Sequence, residues 1–285
     1  MSDKQDDIVL SIRGMSKTFG RNRVLDHIDL DVRRGTVMGL MGENGAGKST
    51  MMKCLFGTYQ KDEGSIFLDG KEVSFSGPKD ALENGIAMVH QELNQCLERN
   101  VVDNLFLGRY PVKGGVIDEA RMRKEASDLF RRLGMTVNLT QPMKNMSVSQ
   151  RQMVEIAKAL STNARVLIMD EPTSALTSKE IDDLFVIIHK LRDEGCGIVY
   201  ISHRLEELQH IVDRVTIMRD GKFITSVNFA DTNMEEIIAN MVGREIKEKF
   251  PKLRCERGKK IFEVRNLNAG RMVRDVSFDI YEGEI

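Results

Sequence analysis

The sequence has no apolar run long enough to cross a bilayer. Its longest apolar stretches, such as residues 166–169 and 197–201, have the length of single strands. A membrane-spanning helix needs roughly 20 apolar residues. Residues 1–7 are polar and acidic with no apolar run behind them, so they do not resemble an ordinary secretion signal. Any role at a membrane is therefore predicted to be peripheral.

The sequence also lacks an excess of one charge and lacks paired cysteines. Its 42 Lys and Arg residues nearly balance 43 Asp and Glu residues, which gives a formal net charge of -1. Such a chain has no whole-molecule field to gather a polyanion, so nucleic acid is not an expected partner. Cys54, Cys96, Cys196 and Cys255 lie far apart without metal-ligand spacing. They are expected to be reduced thiols in a cytoplasmic protein.

Apolar patterns near the start of the chain predict strands. Between residues 8 and 33, apolar residues alternate with polar ones, which is typical of half-buried strands. Residues 37–41 are apolar throughout, as in a strand of a sheet covered on both faces. Asp69-Gly70 and Asp220-Gly221 each lie between short β-prone runs and predict hairpins, because both central turn positions need positive φ. We therefore expect a parallel sheet with antiparallel additions.

Helical patterns dominate the middle of the chain, where the strand signal fades between about residues 92 and 165. The clearest of them has apolar spacing followed by a glycine stop, at Ala126, Leu129, Phe130, Leu133 and Gly134. We predict a helical subdomain over this stretch. After residue 165, apolar strands alternate with a helix that begins with a capping box at Thr177 and Glu180. This alternation is typical of an α/β fold.

The last part of the chain repeats a pattern from its beginning. Residues 261–267 resemble residues 10–15, and residues 273–283 resemble residues 25–35. The second copy stops where the first enters its buried strand, so a tandem protein is expected. The alternative is a coincidence between two short amphipathic strand pairs. The predicted boundaries are a first domain over residues 1–250, a linker over 251–260, and opening strands of an incomplete second domain over 261–285.

Residues 42–50 match the phosphate-loop pattern G-x-x-x-x-G-K-[ST], after an apolar strand and before a helical run that ends at Gly57. In such a loop, backbone N–H groups surround the β-phosphate, and the helix N-terminus adds positive potential. Lys48 is placed to reach the β- and γ-phosphates, and Ser49 is placed to bind Mg²⁺. The predicted nucleotide contacts of the loop are Gly42, Glu43, Asn44, Gly45, Ala46, Gly47, Lys48, Ser49 and Thr50.

A second motif is the apolar strand at residues 166–169, which ends in two carboxylates. Asp170 is placed to hold Mg²⁺, and Glu171 is placed to accept a proton from an attacking water. An apolar strand that ends in Asp-Glu is common by itself. Together with Lys48, it indicates a site that hydrolyses a nucleotide.

In this order the motifs resemble those of the ABC ATPases, over residues 8 to about 245. Residues 147–150, S-V-S-Q, stand where that family carries its L-S-G-G-Q signature, and His203 stands at its switch histidine. Gln91 matches the Q-loop glutamine, and Phe19 matches the aromatic residue that stacks on adenine. Residues 174–177 stand at the D-loop, which makes a contact between facing cassettes in that family.

The resemblance implies a fold and a set of functional residues. The implied fold is an α/β P-loop ABC ATPase with a mixed central sheet, an antiparallel β subdomain and a helical subdomain. The implied cofactors are ATP and Mg²⁺. Glu171 is implied to be the base, with His203 on the γ-phosphate and Gln91 linking Mg²⁺ and nucleotide to the helical subdomain. The catalytic set also includes Lys48. The further implied ligands are Phe19, Ser147, Ser149 and Gln150 for the nucleotide, and Ser49, Gln91 and Asp170 for the metal.

Some positions depart from the family pattern. Val148 and Ser149 stand where the signature has glycines, so their β-carbons are expected to crowd a phosphate. Met146 stands in place of the signature leucine, and Thr177 in place of the D-loop aspartate. With the partial repeat, these departures resemble the duplicated ATPases of bacterial monosaccharide importers. The nearest type is that of galactose and methylgalactoside, with ribose and other pentose importers left open.

The resemblance to importers also implies partners and a location. The expected partners are membrane permease subunits, indirectly a periplasmic sugar-binding protein, and a facing cassette in the tandem chain or in a second copy. The expected location is the cytoplasmic face of the inner membrane. One alternative is a soluble ABC ATPase of DNA repair or the ribosome, although the chain between Lys48 and Ser147 lacks heptad insertions and basic arms. Another is a regulatory module that does not hydrolyse ATP, against which Glu171 and His203 argue.

Overall fold

The computed structural model describes residues 7–91, 93–162, 164–243 and 258–284. The chain divides into two compact units, Met1–Arg244 and Glu245–Ile285. Cys255 and most of the predicted linker, residues 251–257, lie outside the described residues. Within the described ranges, no helix combines the length and the apolar character that a bilayer crossing requires.

The first unit alternates strands and helices along most of its length. Its strands are β1 (Ile8–Phe19), β2 (Asn22–Arg33), β3 (Val37–Met41), β4 (Glu63–Leu68), β5 (Lys71–Val73), β6 (Ile86–Val89), β7 (Val112–Lys113), β8 (Val116–Ile117), β9 (Val166–Asp170), β10 (Gly197–Ile201), β11 (Arg214–Arg219) and β12 (Lys222–Asn228). Its helices are α1 (Lys48–Leu55), α2 (Pro78–Glu83), α3 (Val101–Leu105), α4 (Glu119–Arg132), α5 (Val148–Leu160), α6 (Ser178–Asp193), α7 (Leu205–Ile211) and α8 (Met234–Val242).

A six-stranded sheet in the order β12-β11-β3-β10-β9-β6 forms the centre of this unit. All neighbouring strands are parallel except β12, which returns antiparallel to β11. The turn between those two strands has positive φ at Asp220 and Gly221, as the sequence predicts. The mixed central sheet of the predicted fold class is therefore confirmed.

Both faces of the central sheet are covered, which is why β3, β9 and β10 are buried at every residue. Successive residues of β9 enter different cores because side chains alternate along a strand. Ile168 packs in the core shared with α1 and the antiparallel sheet, whereas Leu167 and Met169 pack in the core shared with α5 and α6. Full burial of each such side chain stabilises the fold by roughly 1.5–3 kcal/mol.

A second sheet, in the order β2-β1-β4-β5, is antiparallel throughout. Its β4-β5 turn has positive φ at Asp69 and Gly70, as predicted. Leu10 and Ile12 of this sheet are buried in the same core as Met51 of α1. The antiparallel sheet therefore packs beside the helix that follows the phosphate loop.

Helices α3, α4 and α5 lie within the stretch predicted to be helical. Helix α4 ends where the sequence indicates, with Gly134 in the left-handed region at φ 70°. The same stretch also contains the β7-β8 hairpin, which the sequence analysis missed. Each of its strands has only two residues, so no alternating pattern exists to reveal it. Gly114-Gly115, both with positive φ, forms its turn.

The second unit contains an antiparallel pair, β13 (Lys260–Ala269) and β14 (Val273–Tyr281), whose register repeats that of β1 and β2. The first pair aligns Leu10 with Val32, Ile12 with Leu30, and Met15 with Ile28. The second pair aligns Phe262 with Ile280, Val264 with Phe278, and Leu267 with Val276. Both pairs have register shifts at equivalent places. The two hairpins therefore share an irregular geometry as well as a sequence pattern.

One side-chain hydrogen bond is also repeated between the two hairpins. The N–H of Gly14 donates to Asp29 Oδ1 at 2.6 Å, and the N–H of Asn266 donates to Ser277 Oγ at 2.9 Å. Gly14 and Asn266 both have positive φ at this point of their strands. Asn is one of the few residues other than glycine that tolerate this conformation. The bend of the second hairpin thus has the same backbone conformation as that of the first, although different residues form it.

Three of the cysteines lie in the described residues, and all three are free thiols. Cys54 and Cys196 are buried, and burial raises the pKa of their thiols to about 11 and about 12 respectively. Cys96 is exposed.

Candidate active site

The candidate site lies where three neighbouring parallel strands end. Leu40 of β3 pairs with Ile201 of β10, and Ile201 pairs with Asp170 of β9. The loop after β3, the two carboxylates of β9 and the residues after β10 therefore leave the sheet at one edge. In open α/β sheets this carboxyl edge is where ligands bind.

The loop between β3 and α1 depends on glycine at two places. Gly42 has φ 156°, and a β-carbon there would lie 2.3 Å from the backbone oxygen of Met218. Gly47 has φ 96°, and a β-carbon there would lie 2.8 Å from Leu25 Cδ2. The loop is thus pressed against β11 and β2, and these contacts hold its backbone at the start of α1. The first N–H groups of α1 then face the loop without partners in the helix.

These glycines give a prediction about stability. We expect Gly42→Ala to reduce the free energy of unfolding by about 2–4 kcal/mol, because the new β-carbon meets backbone. Gly45→Ala is the matched control in the same loop, since Gly45 also has positive φ, at 85°, but has no atom within 4 Å of the added carbon. Gly45→Ala should reduce the free energy of unfolding by only about 1–2 kcal/mol. Urea unfolding of both variants measures the difference, and equal losses would show that the loop is not packed as described.

Lys48 is the first residue of α1 and folds back over the loop. Its Nζ donates to the carbonyl oxygens of Gly42 at 2.7 Å and Glu43 at 3.0 Å. Burial lowers the pKa of Lys48, while the charges of Asp170 and Glu171 act to raise it. The two loop carbonyls thus hold the ammonium group at the carboxyl edge of the sheet.

Ser49 and Asp170, two of the predicted metal ligands, are in contact. Asp170 is 5% exposed at the end of β9. Burial raises the pKa of Asp170, and a hydrogen bond from the Ser49 side chain opposes that shift. Among the residues that the structure describes, no group of three or more His, Cys, Asp or Glu side chains could hold a metal ion. Any metal here would therefore rely on a hydroxyl, a carboxylate, water and phosphate oxygens, which is how proteins usually bind Mg²⁺.

Glu171 is the point at which three predicted residues meet. Its carboxylate accepts a hydrogen bond from Gln91 Nε2 at 2.9 Å and lies 3.1 Å from His203 Nδ1. Its backbone has φ 48°, an uncommon value for a residue with a side chain, and its N–H donates to Ile201 O at 2.9 Å. Backbone strain of this kind concentrates at functional sites. The bond to β10 fixes Glu171 relative to the strand that leads to His203.

The structure does not join every predicted residue to this cluster. Phe19 is 43% exposed at the end of β1, where its ring packs edge-on against Tyr59 with centroids 5.3 Å apart. Ser147 and Gln150 form a capping box at the start of α5. In the described part of the chain, no hydrogen bond or ion pair connects Ser147, Ser149 or Gln150 with the phosphate loop.

The departures from the family pattern have local explanations. Val148 is the first residue of α5, and 49% of its side chain is exposed. Thr177 caps α6 and forms the predicted box with Glu180. A sequence signal for the Ser147–Gln150 box was also present, since S-x-x-Q before an apolar helix is its usual pattern.

A buried network beside His203 was not predicted. Glu207 of α7 accepts hydrogen bonds from Tyr200 Oη at 2.7 Å and from Ser202 Oγ at 2.9 Å. The N–H of Arg204 donates to Ser202 Oγ at 3.0 Å. Burial raises the pKa of Tyr200, so its hydroxyl stays protonated and donates. The residues on both sides of His203 are thereby fixed. The sequence did not predict this network because Glu207 looks like an ordinary surface residue.

The fold and the loop define the class of protein. A buried strand that runs into G-x-x-x-x-G-K-S and a helix, with an acidic pair after a nearby parallel strand, is a P-loop nucleotide-binding domain. The model of the ABC transporter family matches residues 25–174. The chain belongs to the ABC transporter family, as an ATP-binding domain, which confirms the predicted family and fold class.

Named proteins and solved structures resemble this chain over most of its length. Galactose/methyl galactoside import ATP-binding protein MglA of Treponema denticola is 54% identical over 98% of this chain and 56% of that protein. The protein of the same name from Escherichia coli strain K12 is 51% identical over 98% of this chain and 56% of its own length. The chain thus spans about half the length of the curated relatives it matches. A solved nucleotide-free ATP-binding cassette from an ABC transporter is 25% identical, with a TM-score of 0.70 over 83% of this chain and 95% of that structure.

Proposed function

We propose that this chain binds ATP with Mg²⁺ and hydrolyses it to ADP and phosphate. We also propose that hydrolysis drives import of a monosaccharide of the galactose or methyl galactoside type. The observation that carries the proposal is the Glu171 carboxylate, which lies between Gln91 and His203. It directly follows Asp170, and both carboxylates lie close enough to Lys48 to affect its pKa. A base, a cation and a switch residue therefore meet at one edge of the sheet.

The phosphate loop binds the nucleotide in this proposal. Lys48 donates to the β- and γ-phosphates, and the N–H groups at the start of α1 surround the β-phosphate. Phe19, which is partly exposed at the end of β1, is the proposed stacking partner of the adenine. Because Lys48 is held by two carbonyl oxygens of the loop, it is already oriented before a phosphate arrives. Little reorganisation is then needed on binding.

Ser49 and Asp170 fit a magnesium ion. Both offer oxygen, the ligand atom that Mg²⁺ prefers. Asp170 is buried with a raised pKa, which a cation beside it would reverse. When bound, Mg²⁺ neutralises phosphate charge. Gln91 is the third proposed ligand. Its Nε2 donates to Glu171, so its side-chain oxygen is the atom that would bind the ion.

Glu171 is the proposed general base. Its carboxylate accepts the proton of a water that attacks the γ-phosphate. The Gln91 amide and the His203 ring hold the two carboxylate oxygens from different sides. His203 is 64% exposed, so its ring can turn to donate to the γ-phosphate. Phosphoryl transfer is mostly positioning and charge stabilisation, and this arrangement supplies both.

The signature residues are proposed to serve a facing cassette. Ser147 and the start of α5 are exposed and make no contact with their own phosphate loop within the described residues. A facing cassette could come from a second copy or from a tandem chain. The register shared by β13-β14 and β1-β2 supports a tandem arrangement, with residues 1–250 as the first cassette and residues 261–285 as opening strands of the second.

The proposed partners follow from the names of the relatives. Because the relatives are named as import ATP-binding proteins, we propose membrane permease subunits as partners of this chain, and indirectly a periplasmic sugar-binding protein. The proposed location is the cytoplasmic face of the inner membrane, in peripheral association with the permease. The helical stretch with α3, α4 and α5 is the proposed contact region.

The test of the composite site is how activity depends on protein concentration. A tether gives an effective concentration near the millimolar range, so separate copies at about 1 μM should be mostly monomeric. We expect the 285-residue chain to bind Mg-ATP as a monomer, and its specific activity to rise steeply between about 1 and 100 μM. Phosphate release measures the specific activity, and sedimentation measures the oligomeric state. The Glu171→Gln variant gives the background rate of phosphate release. Rapid turnover by a monomer, independent of concentration, would contradict the composite site.

A further inference from the structure

Gln91 is followed by a short segment, residues 93–96, that the structure attaches to α5. Gln95 Nε2 donates to the carbonyl oxygen of Arg151 at 2.8 Å and to Glu155 Oε2 at 3.2 Å. Gln91 reaches Glu171 in the candidate active site. Two glutamines only four positions apart therefore connect the catalytic carboxylate with the helix that begins after Ser147.

The 93–96 segment is also held by α3. The N–H of Cys96 donates to Asn104 Oδ1 at 2.8 Å, and Asn104 Nδ2 donates to the carbonyl oxygen of Cys96 at 3.0 Å. Asn104 is buried. The end of the segment is thus fixed to α3 by a pair of bonds. Gln95 is the residue that ties the segment to α5 by side-chain hydrogen bonds.

Glu155 is an unusual residue for its position. It is 8% exposed on α5, among apolar neighbours on the same helix such as Val154 and Ile156. In the described part of the chain its ion-pair partner is Lys158, with Nζ 3.7 Å from Oε1. Burying a carboxylate is costly unless it is well paired, and apolar replacements of buried ionic groups are often neutral or stabilising. Stability of the fold therefore gives a weak reason for a carboxylate at this place.

Polar atoms around this contact are only partly satisfied. Gln95 Oε1 and Arg151 Nε are both shielded from solvent, and neither has a hydrogen-bond partner in the described part of the chain. Buried polar atoms without partners are rare, and each one calls for an explanation. One explanation is that the contact between Gln95 and α5 exchanges hydrogen-bond partners when the 93–96 segment moves. The Gln95 amide can keep its bond to Glu155 while its other atoms exchange partners.

We propose that Glu155 is a positioning residue for hydrolysis. By holding Gln95, it fixes the 93–96 segment so that Gln91 stays against Glu171. It also makes the start of α5, with Ser147, move together with Gln91. The inference rests on the proposed hydrolysis of ATP, and it adds to that proposal the side chain through which α5 reaches the base. Glu155 does not touch the reacting atoms, so it acts only through Gln91.

The kinetic test compares variants of Glu155 at a protein concentration that gives measurable turnover. We expect Glu155→Ala to lower kcat about tenfold with KM for ATP nearly unchanged, the effect of losing one hydrogen bond to a charged group. Glu155→Gln keeps an acceptor oxygen and should retain most of the activity. Gln152→Ala is the matched control, because it deletes another buried amide from α5. Glu155→Ala with the kcat of the parent would overturn the proposal.

A second comparison separates positioning from a general defect. In the Gln91→Ala background, Glu155→Ala should cause no further fall in kcat, because the residue through which it acts is absent. An equal tenfold fall in both backgrounds would show that Glu155 acts elsewhere and would overturn the proposal. If the parent chain hydrolyses no ATP at any concentration, the proposed function fails, and the following measurement still tests the link.

The measurement that needs no turnover uses fluorescence. The sequence has no tryptophan, so Asn94→Trp places a single exposed reporter beside Gln95. We expect its steady-state anisotropy to fall when Glu155→Ala is added, and to stay unchanged when Gln152→Ala is added. Circular dichroism confirms folding of each variant. Equal anisotropy in all three proteins would show that Glu155 does not hold the segment.

Discussion

Replacing Glu171 by glutamine is expected to reduce ATP hydrolysis by about two to four orders of magnitude. Glutamine keeps the shape of the side chain and an oxygen that can accept from Gln91, so the contacts of the site are largely preserved. It cannot accept the proton of the attacking water. ATP should therefore still bind, and the nucleotide-bound form should accumulate. Single-turnover phosphate release and ATP affinity are the two measurements.

Glu206→Gln is the matched control for that variant. Glu206 is an exposed glutamate near the start of α7, three positions after His203. The same chemical change there should leave phosphate release at the parent level. Full turnover in Glu171→Gln would mean that another group activates the water, because no proton could then have passed to residue 171.

Replacing Lys48 by alanine is expected to lower the affinity for ATP by about a hundredfold or more, since charged contacts to phosphate contribute about 1.5–3 kcal/mol each. Lys48 lies at the first position of α1, where alanine is a good helix former. The fold should therefore survive. Titration calorimetry gives the affinity, and circular dichroism reports the fold.

Lys79→Ala serves as the control for charge alone, because Lys79 lies on the surface of α2 with an 84% exposed side chain. Its affinity for ATP should match that of the parent chain. If folded Lys48→Ala bound ATP with unchanged affinity, the assignment of residues 42–50 as the phosphate-binding loop would be wrong. A loss in both variants would point to a general effect of net charge.

Much of the fold could be predicted because the signals for it are local. The Asp69-Gly70 and Asp220-Gly221 turns need positive φ, and few residues besides Asn, Asp and Gly adopt it easily. Thr177 and Glu180 cap a helix through groups three positions apart. The phosphate loop is likewise one continuous pattern, so its place after β3 follows directly from the sequence.

The interior of the site could not be predicted in the same way. The contacts of Gln91 and His203 with Glu171 depend on strand order, because the strands that precede them, β6 and β10, are the two neighbours of β9. No local pattern encodes which strands are neighbours. Resemblance to a family supplied those residues, whereas physical reasoning from the sequence gave the phosphate loop, with Lys48 and Ser49, and the two carboxylates. Glu155 had no signal of either kind.

Signature positions show a limit of another sort. The β-carbons of Val148 and Ser149 are expected to crowd a phosphate, but within the described residues no hydrogen bond joins either residue to the phosphate loop of its own chain. In the proposed composite site, such crowding would arise between two cassettes in contact. A single sequence describes one surface of that contact, and the register of the second hairpin, β13-β14, is the feature that supports a tandem partner.

The place of β10 in the sheet sets the order in which the site can be assembled during synthesis. The phosphate loop and the carboxylates after β9 both leave the ribosome before Gly197–Ile201 does. Until that strand inserts, β3 and β9 share no ladder that could hold the two halves in register. A nascent chain therefore carries a complete phosphate loop without a complete site. Alignment of the loop with the two carboxylates therefore waits for one short strand.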